Sequence, residues 1–143
     1  MSISIIVIIN LIWILYSVTE GSREGFYWHY ENQSKRVCDF DINPVFHLQR
    51  LIVLSIITAL IWPFFSIYSP LLTFGLILEF SYFHNGTYYY TRNKLGGKVY
   101  EKGWKDESKT FPPFSALMKY ERRKMAMLFG IATQIFIYLF LLG

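Results

Sequence analysis

Every Lys and Arg of this chain, fourteen in all, lies in one of two segments, 19–50 or 92–124. Four apolar stretches flank those segments: Ile3–Val18, Leu51–Tyr68, Leu71–Tyr90 and Met125–Leu142. When each stretch crosses a bilayer, both basic segments fall on the same face, and the excess of Lys and Arg assigns that face to the cytoplasm. The opposite face then carries both termini and a turn at Ser66–Pro70, with no charged side chain.

The lengths fit that reading. A hydrocarbon core about 30 Å thick takes roughly 20 apolar residues per helix, and about 17 at the least. The four stretches offer 16, 18, 20 and 18 residues. Thr19, Glu20 and Gly21 complete the first crossing near the interface. The spans use about half the chain, which leaves too little for a sizeable soluble domain. The predicted fold class is all-α: an integral membrane bundle of four transmembrane helices with a short interfacial amphipathic segment, one domain over 1–143. The helices are expected at about 3–21, 44–68, 71–91 and 113–142, with inner loops at 31–43 and 92–112. The first stretch has no basic residue before its apolar core and no small-x-small site after it, so it reads as a retained helix, not a cleaved signal.

A net charge of +4 invites a nucleic-acid reading. The basic residues, however, are interleaved with nine of the ten acids in the same two segments. They read as topology determinants that touch anionic lipid headgroups, and no nucleic-acid partner is expected. Cys38 stands alone, which allows neither an internal disulfide nor a cysteine pair for a metal. Asn32-Gln33-Ser34 and Asn85-Gly86-Thr87 fall on the inner side or within a span, where glycosylation is not expected.

Helix 1 should run past the membrane boundary, because Asn10, Trp13, Ser17, Glu20 and Glu24 recur at steps of three and four and form one face. Polar groups in hydrocarbon are unfavourable unless partnered, so this face should meet other helices. Tyr27, Trp28 and Tyr30 read as an aromatic anchor at the inner interface. Asn43-Pro44 has the form of a helix start. Pro63 kinks or ends helix 2, and Trp62, Phe64, Phe65 and Tyr68 supply an outer aromatic belt. Ser69-Pro70 is a tight turn that makes helices 2 and 3 antiparallel neighbours. Gly96-Gly97 and Pro112-Pro113 divide the second basic segment. From Pro113, the pattern Phe114, Leu117, Met118 with Lys119, Arg122, Arg123 suggests an amphipathic stretch in the interface.

Glu79 is the most informative single side chain. At 1.5 Å per residue it sits about 12 Å in from Leu71, near mid-bilayer. A carboxylate there is unfavourable by about 2.5–3.5 kcal/mol on insertion scales, so it is protonated, paired or in a wet cavity. One reading makes Glu79 a proton or cation site; the other makes it a neutral acid hydrogen-bonded to helix 1, for instance to Asn10. His29, His47 and His84 gather toward one side and raise the question of a metal or haem. No His-x-x-His, Glu-x-x-His or His-x-x-x-His spacing places two ligands on one face, and no cofactor is expected. Glu79 and His84, five residues apart, point about 140° apart and should not share a compact site. At the inner mouth, Glu20, Arg23 and Glu24 are i, i+3 and i+4 neighbours, so one reading is a plain intrahelical ion pair. The sharper one is a polar vestibule of Glu20, Arg23, Glu24, His47, Arg50, His84 and Arg92, suited to a phosphate headgroup or an anionic substrate. No Gly-x-Ser-x-Gly, Walker loop or Cys–His arrangement is present.

In span number and in its membrane-embedded Glu79 the chain resembles the small multidrug transporters. Their carboxylate lies in the first span and their charge bias is weak. Here Glu79 is in the third and the bias is strong, so antiparallel dual-topology pairing is not expected. The leading expectation is a non-enzymatic accessory or assembly subunit that acts through helix packing with other membrane subunits or with itself. A transporter or channel using Glu79 comes second. A lipid-modifying or redox enzyme built on the inner vestibule comes third.

Overall fold

The computed structural model describes residues 2–34, 43–96, 101–107 and 119–142. All regular structure among the described residues is helical. Helix α1 spans Ser2–Ser34, α2 Asn43–Phe65, α3 Ser69–Lys94 and α4 Tyr120–Phe136. A wider π-helical run, Ile137–Leu142, prolongs α4, and short 3-10 turns occupy Ser66–Tyr68 and Gly103–Lys105. Two continuous helical stretches, Ser4–Tyr30 and His47–Lys94, are long and apolar enough to cross a membrane. The second contains α2 and α3. Ser66, at φ 48°, starts the reversal between them, and Pro70 sits in the first turn of α3, where a missing N–H leaves nothing unpaired.

Cross-helix pairs give the directions. Thr58 and Thr73 share a 2.8 Å hydroxyl contact while Arg50 meets His84, so α2 and α3 are antiparallel. Trp13 Nε1 donates to the Leu76 carbonyl and Gly21 abuts His84, so α1 runs parallel to α3. Gln134 beside Glu79 and Arg123 beside Tyr89 make α4 antiparallel to α3. Helix α3 is the centre, packed most extensively against α1 and α4, while α2 touches it more sparingly. The C-terminal ends of α1 and α3 and the N-terminal ends of α2 and α4 therefore meet at one basic end. A small apolar cluster of Ile6, Ile61, Phe65, Leu72 and Ile137 closes the other.

Helix α1 does not stop near residue 21. It continues to Ser34, so 31–34, expected to open a loop, are helical. Gly21 and Gly25 lie within it without breaking it, because both serve close approach to α3. A Cβ at Gly21 would sit 2.3 Å from the His84 carbonyl oxygen, and one at Gly25 would sit 3.1 Å from that of Tyr88. Small residues at i and i+4 let two helix backbones touch. The described part of the last helix begins at Tyr120, not 113. The amphipathic stretch expected from Pro113 to Met118 lies outside the described residues, as do 35–42, 97–100 and 108–112 of the expected inner loops. Of the second loop, 92–94 still belong to α3 and 103–105 form a 3-10 turn.

Several polar side chains are inside and many large apolar ones outside. Ser17, Glu20, Glu79, His84, Arg123 and Gln134 are buried, whereas Leu11, Leu15, Leu60, Phe129 and Leu139 are exposed. A continuous apolar exterior of this kind is unfavourable in water and natural against lipid.

Candidate functional sites on two polar layers

Near the basic end, Arg50 reaches from α2 between α1 and α3. Its Nε donates to Glu20 Oε1 at 3.0 Å and its Nη2 to Glu24 Oε2 at 2.7 Å. Glu20 and Glu24 are one helical turn apart, so α1 presents both carboxylates to the same guanidinium. His84 of α3 completes the cluster, with Nε2 2.9 Å from Arg50 Nη2 and 2.8 Å from Glu24 Oε2. Its Nδ1 lies 3.0 Å from Asn85 Oδ1. A neutral ring that donates from Nδ1 accepts the Arg50 bond at Nε2, whereas a charged ring donates to Glu24 instead. Phe80 forms the floor, with the Arg50 guanidinium 5.0 Å above its ring and His84 stacked on it at 4.7 Å.

The vestibule expected from seven residues thus resolves into parts. Glu20, Glu24, Arg50 and His84 are joined. Arg23, half-exposed, flanks them by donating to Gln49 Oε1 at 3.0 Å and lying 3.8 Å from Glu20 Oε1. His47 is exposed, its Nδ1 3.5 Å from Arg50 Nη1. Arg92 stands two turns beyond His84, donates to the Tyr88 hydroxyl at 2.9 Å, and is not a partner of Arg50. His29 is buried on α1 with its ring edge-on to Tyr30. The three histidines do not converge, and among the described residues no group of three or more His, Cys, Asp and Glu side chains is disposed to hold a metal ion.

The second layer crosses α1, α3 and α4. Glu79 is buried, and Gln134 Nε2 donates to its Oε1 at 2.6 Å. Asn10 Nδ2 donates to the Gln134 Oε1 and, at 2.8 Å, to the Ile6 carbonyl. Asn10 and Glu79 are therefore linked, but through Gln134, a residue the sequence reading passed over. It carries the one side-chain amide in the last apolar stretch, and Gly130 precedes it by one turn. Gly130 and Gly75 are what allow the bond: a Cβ on Gly130 would lie 2.5 Å from the Gly75 carbonyl oxygen. Glu79 and His84 belong to separate layers.

No known protein family, curated protein or solved structure matches this chain.

Two further features escaped the sequence. A cleft of about 340 Å³ runs between α1 and α4, walled chiefly by Ile6, Leu11, Ile131 and Ile135, with Asn10, Gln134 and Glu79 at its floor. Arg123, expected on an interfacial surface, is instead buried. Its Nη2 donates to the Asp106 carbonyl at 2.8 Å and the Trp104 carbonyl at 3.2 Å, and its guanidinium lies 5.3 Å over the Tyr89 ring. Burial lowers its pKa from the ordinary arginine range. Arg123 thereby fastens the 101–107 segment, whose Trp104 fills the space left by Gly86.

Proposed function

We propose that the chain crosses a membrane four times, with its basic end in the cytoplasm and both termini outside, and serves as an accessory or assembly subunit that acts through helix packing. The alternating helix directions and the apolar exterior support the four crossings. Arg50 carries the functional reading. Its guanidinium is held by Glu20 and Glu24 and contacts His84, so the charged cluster is a clamp on α1, α2 and α3. The engagement of Arg50 by two carboxylates argues against an open phosphate site. Gentle purification is expected to give a complex with other membrane subunits or a homo-oligomer, in contact with anionic headgroups at the basic end. A lone monomer by native mass measurement overturns the assembly role. Cysteines placed at Lys35 and Lys105 should label from the same side; labelling from opposite sides ends the four-crossing topology.

A transporter or channel is the second reading, favoured by Glu79 at the floor of a cleft. Proteoliposome flux unchanged by Glu79→Gln removes it.

A further inference from the structure

We propose that the α1–α4 cleft receives a transmembrane helix of a different protein, one that carries a single Lys or Arg at the depth of Glu79. This deepens the assembly reading and rests on it.

The shape comes first. Ile6, Asn10, Leu11 and Ile14 recur along α1 at helical spacing, and Ile131, Ile135 and Tyr138 recur along α4. Two such rows on neighbouring helices form a groove parallel to their axes, about 12 Å long from residue 6 to residue 14. A third helix lays the ridge of its i, i+3, i+4 and i+7 side chains into a groove of this form. A row of side chains fits the 340 Å³ of the cleft.

Charge then selects the occupant. Glu79 is 1% exposed and lines the cleft, and among the described residues Gln134, bound to Oε1, is its one hydrogen-bond partner. Among the described residues no hydrogen bond reaches Oε2. The cleft contains no cation, since Arg50 is committed to the other layer and Arg123 to the 101–107 segment. A carboxylate in hydrocarbon calls for a counter-charge or a donor, and a basic side chain on a docked helix supplies both.

The sequence finally argues against a second copy of this chain as the source of that cation. All fourteen Lys and Arg residues lie in 19–50 and 92–124, outside the four apolar stretches, so none of those stretches brings one to mid-depth. The partner is a different chain.

The test uses the full-length protein, donor-labelled, in phosphatidylcholine vesicles, with acceptor-labelled synthetic helices of Leu and Ala. One helix carries a central Lys and one carries Leu there. Energy transfer should show the Lys helix binding about tenfold more tightly than the Leu helix, the scale of one interhelical polar contact in model peptides. The preference should vanish in Glu79→Gln, which retains an acceptor for Gln134. Ile135→Trp, which fills the cleft and leaves the carboxyl in place, should weaken binding of both helices.

Equal binding of the two helices, or a preference that survives Glu79→Gln, overturns the proposal. So does saturable binding of dodecylamine that depends on Glu79 without any helix binding, which marks a small lipophilic cation as the occupant. When the protein purifies with a partner that Glu79→Gln does not dislodge, the assembly reading stands and this inference fails. When it purifies alone as a monomer, the assembly reading itself has failed.

Discussion

Arg50 Nε lies 3.0 Å from Glu20 Oε1, although thirty residues and a change of helix separate them. With Glu24 bound to the same guanidinium, this contact fastens α2, the helix with the fewest other attachments to the bundle. Removing the cation leaves two carboxylates facing each other in a site where the Glu20 side chain is 1% exposed. Arg50→Met should therefore destabilise the protein by about 3 kcal/mol, the scale for breaking one partner of a buried pair. Thermal unfolding in detergent checks this. Adding Glu20→Gln and Glu24→Gln should restore much of the loss.

Gly21 sits against the backbone of α3 where no Cβ fits. Gly21→Ala should cost about 1–3 kcal/mol by overpacking, because the obstruction is the His84 carbonyl oxygen and not the end of a flexible side chain. Thr19→Ala, at an exposed position two residues earlier, should stay within about 0.5 kcal/mol. The two melting curves, recorded under the same conditions, make the comparison.

Gln134 is the bridge of the second layer. Gln134→Leu deprives Glu79 Oε1 of its donor and Asn10 of one of its two acceptors, and should destabilise by about 1–3 kcal/mol. A double-mutant cycle with Glu79→Leu should show coupling of about 0.5–3 kcal/mol, the range for residues in direct contact. Additive losses would mean that the 2.6 Å bond contributes nothing.

Arg123 holds the 101–107 segment by two carbonyl contacts. Arg123→Leu should release it and speed trypsin cleavage after Lys102 and Lys105 by about tenfold, the response of a segment whose local opening becomes easier. Mass spectrometry of the timed digest locates the cuts. Unchanged cleavage would show that Trp104 anchors the segment unaided.

Much of this architecture was legible from periodicity. The stripe Asn10, Trp13, Ser17, Glu20 and Glu24 marked the face of α1 that turns inward, and Trp13, Ser17 and Glu20 are indeed buried. That signal is local, since residues three and four apart share a face in any helix. Gln134 was invisible by the same logic. Nothing near it in sequence says which helix it meets, and its partners lie 55 and 124 residues away. Arg123 looked interfacial because it stands in a basic run, and only the fold back of residues 101–107 puts carbonyl oxygens against it.

The chain by itself determined its helical character, its apolar stretches, and the confinement of Lys and Arg to two segments, because hydropathy and charge act residue by residue. Tertiary structure alone decided which polar groups meet. Arg50 joined Glu20 and Glu24, Gln134 came between Asn10 and Glu79, and a cleft opened between α1 and α4. Those outcomes depend on helix rotation and crossing, which the glycine contacts at 21, 75 and 130 set through backbone approach and which no local pattern encodes.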